Sequence, residues 1–457
     1  MSAADGTGTW TWRRTWAQSI ASPGRLAIGV LLLGLSCAGL YALSLAVQLP
    51  MSDIEVYRAE GQAAATGGDL YGFTVTKWAL PATYPPFAAL LFVPTTWISL
   101  TTLKITCVMA NAALLALLIH LSCKTAGLRR AAYSAPLVLG TTALGLWLEP
   151  VFQTLVFGQV NLALTCLVLW DLSRPDGARL KGFATGLAAG IKLTPAIFAV
   201  YLLITGRVKA AFTAFAGFGV SVLLGALVLP AASLEFWTRR MFETQRVGKV
   251  WIVDNQSLQG LLARLLHTTE PGAWWLAAAA VTGAAGLWIA RRCHVHRGLD
   301  HWGVLATAVT ALLVSPISWS HHWVWCVPLL AALIAHARRD VRRWALVAAV
   351  AVAFTARSMW ALHHKGTLAL HFSWWQQPLA SPYPVLGLAL LAGLAWWTRP
   401  TPGRPGALPD TRRVPAPRAG GGYTPPTFPG AHSPHPPRAR PPPHPPDRSD
   451  CTAMCRA

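Results

Sequence analysis

The stretch RLAIGVLLLGLSCAGLYALSLAVQLPMSDIEVY, residues 25–57, decides the fold class. Leu26 to Leu49 carries no charged residue. A helix needs about 20 apolar residues to cross the ~30 Å hydrocarbon core of a bilayer, and this run is long enough. A secretory signal would have a shorter apolar part and a small-residue cleavage site. The reading is an uncleaved first span. Arg13, Arg14 and Arg25 precede it and hold residues 1–25 in the cytoplasm. At the far lip stands Asp53, in Met51-Ser-Asp-Ile-Glu-Val-Tyr57. A carboxylate at the edge of an apolar span is costly unless it is used.

The rest of the chain repeats the pattern. Of its 457 residues 54% are hydrophobic and only 12% charged, well below the roughly 25% charge usual in soluble domains. Apolar runs recur along residues 26–397. The expectation is an all-α integral membrane protein. The net charge of +21 does not mark a nucleic-acid surface, because the charges fall in short clusters between apolar runs and in the C-terminal segment. Lys124, Arg129 and Arg130, then Arg174, Arg179 and Lys181, Arg207 and Lys209, Arg291 and Arg292, Arg338 to Arg343, and Arg399 mark one side as cytoplasmic. Threading on these clusters gives ten full crossings and two partial elements, or twelve crossings by a looser count. The partial elements are Phe87–Ile98 and 183–204, the latter interrupted at Lys192 and Pro195. Loops 50–84, 149–158, 230–272 and 357–381 then face outward, with the tip 315–321. Tryptophans such as Trp97, Trp147, Trp237, Trp274, Trp275, Trp374 and Trp375 sit at span ends as an aromatic belt. The membrane domain is 26–398. Residues 400–457 hold 17 of the 34 prolines, so 399–457 reads as a disordered, Pro/Arg-rich cytoplasmic tail. The eight cysteines imply no disulfide framework, and Cys451 with Cys455 lacks the partners of a metal site.

The polar residues gather in the outward segments. Asp53 begins a short surface helix that ends at Gly67, so it reads equally as an N-cap and as a general base. Glu55 and Tyr57 follow it, and Tyr84 lies further along the same loop. Gln159 and Asn161 place two amides at the top of a span, either as interhelical hydrogen bonds or as the lining of a polar cleft. Lys192 is deep in an apolar segment and needs an anionic partner, either a lipid phosphate or an internal carboxylate. Asp254-Asn-Gln-Ser-Leu-Gln-Gly260 with Arg264 forms a second cluster. Ser315-Pro-Ile-Ser-Trp-Ser-His-His322 forms a third, with Trp319, His321 and His322. Adjacent histidines point to different faces, so one of them is read as a proton shuttle or phosphate donor rather than both as metal ligands. His363 and His364 are a further pair. No nucleotide-binding glycine loop, CxxC or HExxH motif is present.

In this order the pieces resemble glycosyltransferase family 87. They are Asp53-Ile-Glu-Val-Tyr57, Asp69-Leu-Tyr71, Thr83-Tyr-Pro-Pro-Phe87, Gly158-Gln-Val-Asn161, Ile191-Lys-Leu-Thr-Pro195, Asn255-Gln-Ser-Leu-Gln-Gly260 with Arg264, and Ser315 to His322. The resemblance implies a GT-C-type multi-span bundle of actinobacterial type. It implies an α-mannosyltransferase of the plasma membrane that takes mannose from polyprenyl-phosphate-mannose on the outer face. Acceptors in that family are glycolipids such as phosphatidylinositol mannosides; some members transfer arabinofuranose instead. A β-linked sugar phosphate giving an α-linked product needs one inverting displacement, hence one base and cationic help for the leaving phosphate. On that basis Asp53 is the base and His322 a second catalytic group. Lys192 and Arg264 hold the donor phosphate, with Asn255, Gln256 and His321 orienting the substrates. Glu55, Tyr57, Tyr84, Gln159, Asn161 and Trp319 line the cleft. Fixed cations make a metal cofactor unnecessary, although Glu55 beside Asp53 leaves room for a divalent ion. The competing class is a lipid or solute transporter, which would share a broken helix with a buried lysine.

Overall fold

The computed structural model describes residues 23–47, 50–337, 340–362 and 366–399. Most of residues 1–25, the Pro-rich segment 400–457 and the pair His363–His364 therefore lie outside the described residues.

The described chain is helical, apart from the two-residue strands β1 (Thr74–Val75) and β2 (Leu80–Pro81), which pair antiparallel. Helix α1 (Pro23–Val47) is the first apolar run. Leu31, Leu35 and Tyr41 on it are exposed, as a lipid-facing helix requires. Next come α2 (Ser52–Thr66), α3 (Pro86–Phe92), α4 (Leu100–Thr125), α5 (Ala135–Gly145) and α6 (Glu149–Phe157). Helices α5 and α6 form one apolar pair bent by 76°. Pro150 in the first turn of α6 makes that a natural place to restart a helix. Ser36 of α1 donates to the carbonyl of Ala143 at 2.8 Å and accepts from Trp147 at 2.8 Å, fastening α1 to α5.

The second half begins with α7 (Asn161–Leu172), α8 (Phe183–Ile191), α9 (Ile197–Ile204), α10 (Val208–Val228) and α11 (Pro230–Thr238). Then follow α12 (Leu258–Leu265), α13 (Gly272–Arg297), α14 (Asp300–Val314), α15 (Cys326–Ala337), α16 (Val341–Ala353), α17 (Gln377–Ala380) and α18 (Pro382–Trp397). The break expected at Lys192 is present. Helix α8 stops at Ile191, Lys192 is extended at φ −148°, and a 3₁₀ turn (Thr194–Ala196) leads into α9. Pro195 has no N–H to continue the ladder. Helices α8 and α10 pack with their backbones close. A Cβ on Gly186 would stand 2.0 Å from the Ala214 carbonyl oxygen, so only glycine permits that approach.

Helices α1, α4, α10 and α13 are long and apolar enough to cross a membrane singly, and α5–α6 adds a fifth as a bent span. The threading to ten or twelve crossings also counted shorter apolar runs. Helix α7, for example, has 12 residues, and at 1.5 Å per residue that is about 18 Å of rise. Such segments cross only together with the turns and breaks that continue them.

The basic clusters gather at one end. Arg207 at the start of α10 pairs with Asp300 at the start of α14 at 3.0 Å. Arg291 donates to the carbonyl of Ile204 at 3.0 Å. Lys124, Arg174, Lys181 and His301 border a cavity of about 340 Å³ there. Helix α7 runs toward that end and α14 away from it, so Asn161 and Ser315 both lie at the opposite end.

Candidate functional site

At the end remote from the basic clusters the structure opens a cavity of about 490 Å³. Helix α2 presents its N-terminus to it. Ile54, Val56 and Tyr57 are buried, and Tyr57 stacks on Phe92 at 4.4 Å, which fixes the helix against α3. Asp53 lies in the first turn of α2, but it is not the cap: Met51 holds that position in a left-handed conformation, with no side-chain capping bond. The alternative reading of Asp53 as an N-cap therefore falls away, and its carboxylate borders the cavity.

Gln159 organises this carboxylate. Its Oε1 accepts from Tyr57 Oη at 3.0 Å, from Tyr84 Oη at 3.2 Å and from Asn161 Nδ2 at 3.4 Å. With the oxygen so engaged, Nε2 must face the other way, where it donates to Asp53 Oδ2. Ser52 Oγ donates to Oδ1 at 3.3 Å. Burial pushes the Asp53 carboxyl up to about 6, against the lowering pull of those two bonds and of the Lys192 charge. A carboxylate in that range is ionised at neutral pH and still basic enough to take a proton.

The helix break delivers the cation. Lys192 Nζ donates to Asn161 Oδ1 at 3.0 Å, stands 2.8 Å from His322 Nε2 and reaches Tyr84 Oη at 3.5 Å. Among the described residues no carboxylate lies within ion-pair distance of it. Lys192, His321 and His322 all border the cavity. His321 is buried against Phe157, at 5.4 Å between ring centroids, and neither ring nitrogen has a hydrogen-bond partner. Trp319 lines the same space and packs over Gly248.

Three expected site residues stand elsewhere. Asn255, Gln256 and Arg264 are fully buried and do not border the cavity. Asn255 donates to the carbonyls of Val250 and Pro316 at 2.9 and 3.1 Å and accepts from Ser318 N–H at 3.0 Å. Gln256 donates to the carbonyl of Ala380 at 2.8 Å. The Arg264 guanidinium donates to the Ile252 and Asn255 carbonyls at 2.9 and 3.1 Å and to Ser381 Oγ at 2.8 Å. With every nitrogen engaged, it cannot also reach a phosphate in the cavity. These three side chains tie the 250–257 loop to the 315–320 turn and to the start of α18. Glu55 also departs from its expected place. It pairs with Lys104 at 2.7 Å and is absent from the lining, so it forms no acidic pair with Asp53. No cluster of three or more metal-ligating side chains occurs among the described residues.

Asp254, by contrast, does border the cavity, where burial lifts its carboxyl to about 7. In the sequence it carries the same signal as Asp53, an acidic residue in a loop beside a span, and the amides that follow it draw the eye first.

Fold and site together describe an α-helical membrane protein with a cavity at one end of the bundle, lined by buried polar side chains. Residues 82–316 match the model of glycosyltransferase family 87. A polyprenol-phosphate-mannose-dependent alpha-(1-2)-phosphatidylinositol mannoside mannosyltransferase of Mycobacterium tuberculosis is 33% identical over 377 residues, 77% of this chain and 86% of the relative. A protein of the same description from Mycolicibacterium smegmatis is 35% identical over 65% of this chain and 73% of its own length. A phosphatidylinositol pentamannoside mannosyltransferase of Mycobacterium tuberculosis is 33% identical over 62% of this chain and 66% of its own length. No solved structure matches. The chain belongs to glycosyltransferase family 87 and is a glycosyltransferase. That membership sets aside the transporter reading of the broken helix.

Proposed function

We propose that the protein transfers mannose from polyprenyl-phosphate-mannose to a glycolipid of the phosphatidylinositol mannoside type, forming an α-linkage with inversion, at the outer face of the plasma membrane. The observation that carries this is the placing of Asp53 and Lys192 on the same cavity, whose other cation, Arg240, is already ion-paired to Glu235 and Glu243. Asp53 takes the proton of the acceptor hydroxyl. The acceptor oxygen forms its bond to C1 of the mannosyl group as the bond from C1 to the phosphate oxygen breaks, and polyprenyl phosphate leaves. Lys192 balances the charge that develops on the leaving phosphate, and His322, in contact with it, holds the ammonium in position. A charge already fixed in place needs no reorganisation during reaction, so the step as proposed runs without a metal.

The outer-face assignment rests on the gathering of basic clusters at the opposite end of the bundle, which the positive-inside rule puts in the cytoplasm. The relatives' named substrates support mannose over arabinose and a phosphatidylinositol mannoside acceptor. The test uses membranes from cells expressing the full chain, supplied with radiolabelled polyprenyl-phosphate-mannose and a phosphatidylinositol mannoside pool. Wild type is expected to label the glycolipid and Asp53→Asn to abolish labelling. Transfer from the arabinose donor alone, or full activity of Asp53→Asn, would overturn the proposal.

A further inference from the structure

Besides Asp53, two carboxyl groups line the cavity: Glu243 is taken by ion pairs to Arg239 and Arg240, which leaves Asp254 unused by the proposed chemistry. Its Oδ1 accepts from the backbone N–H of Ser320 at 3.1 Å. The loop carrying Asp254 is held firmly by the buried side chains of Asn255 and Arg264. Gln256 N–H donates to the Ser318 carbonyl at 2.8 Å, so this loop is tied to the 315–320 turn. Two residues beyond Ser320 is His322, which contacts Lys192. Asp254 is thus fixed to the same turn as the groups at the phosphate end of the cavity, whereas Asp53 stands on α2 beside Gln159.

A mannosyl phosphate bound with its phosphate at Lys192 and its C1 open toward Asp53 leaves the sugar hydroxyls to be satisfied by the walls. Buried hydroxyls left unpaired are costly, so a wall that accepts from them discriminates strongly. A carboxyl group accepts short, strong hydrogen bonds from hydroxyls, and its two oxygens suit two neighbouring ones. Asp53 cannot serve here, because Gln159 and Ser52 already occupy it and its remaining capacity is needed for the acceptor proton. We infer that Asp254 is a specificity-determining residue that binds hydroxyl groups of the donor sugar. This rests on the assignment of the cavity to a lipid-phosphate sugar.

Asp254→Asn is the informative variant, since the amide oxygen still accepts from Ser320 N–H and the turn keeps its anchor. Equilibrium binding to the purified full chain in lipid nanodiscs would be measured with polyprenyl-phosphate-mannose, with polyprenyl phosphate bearing no sugar, and with donors lacking one mannose hydroxyl each. Wild type is expected to prefer the sugar-bearing lipid. Asp254→Asn should bind bare polyprenyl phosphate as wild type does and lose about ten- to a hundredfold of that preference. Removing the contacted hydroxyl should weaken wild type and leave the variant unchanged. A variant that keeps the full preference, or that loses the same factor as wild type with every deoxygenated donor, overturns the inference. A wild type that binds polyprenyl phosphate not at all overturns the donor assignment itself, and that failure is visible before any variant is made.

Discussion

Replacing Gln159 by leucine tests the proposed base through the bond that tunes it. The Gln159 amide donates to Asp53, and that bond holds the carboxyl down at about 6 against burial. A hydrogen bond to a charged group contributes about 1.5–3 kcal/mol. At about 1.36 kcal/mol per pH unit, losing it raises the Asp53 pKa by about 1–2 units. Tyr57 and Tyr84 retain each other, since their hydroxyls lie 3.0 Å apart, so the wall behind Asp53 stays assembled. The base acts when deprotonated, so a higher pKa removes activity on the acid side. The acid limb of kcat/KM should move from near pH 6 in wild type to roughly pH 7–8 in the variant. At pH 7 kcat/KM should fall about two- to tenfold relative to wild type, and the ratio of variant to wild type should return toward one by about pH 9. The assay is initial rate against pH in solubilised membranes with saturating acceptor and dilute donor. A limb that stays at its wild-type position, or a loss that is the same at every pH, would refute the claim that Gln159 acts through the ionisation of Asp53.

Three further outcomes are expected. Arg264→Met leaves the Ile252 and Asn255 carbonyls and Ser381 without their donor, so thermal unfolding in detergent should show a loss of about 1–3 kcal/mol; a variant as stable as wild type would show that the guanidinium is not a structural tie. Glu60 on α2 is buried and its carboxyl is raised to about 8, so its contribution is full below the unfolded value near 4.3 and is lost as pH rises toward 8. Wild type should therefore melt lower at pH 8 than at pH 5, Glu60→Gln should reduce that slope to the share left by Asp53 and Asp254, and an unchanged slope would exclude Glu60 as a source. Incubation with a divalent-metal chelator should leave mannosyl transfer at its untreated rate, whereas loss restored by added metal would show that Lys192 does not suffice for the leaving phosphate.

Much of the architecture was legible because apolar length is a local property. The first span, the break at Lys192–Pro195, the short α2 with Gly67 at its end and the basic clusters of one face could each be read from neighbouring residues. Asp53, Lys192, Tyr57, Tyr84, Gln159 and the two histidines were legible as candidates because polar side chains at span ends need partners. Which partners they take was not legible. Gln159 and Asp53 are 106 positions apart, and Lys192 and His322 are 130. Nothing in either local sequence specifies that meeting.

The same limit explains the residues that went elsewhere. An arginine in a loop between apolar runs reads identically whether it faces a phosphate or a ring of carbonyls, and only the packed fold shows that Arg264 faces carbonyls. Glu55 and Asp53 are two apart on a helix, so they diverge by roughly 200° around it, and Lys104 from α4 settles where Glu55 points. The sequence by itself determined that the chain is a helical membrane protein with polar chemistry at span ends, since burial in lipid constrains each segment separately. The tertiary structure alone decided which of those polar groups share the cavity, because that depends on helix packing between segments far apart in the chain.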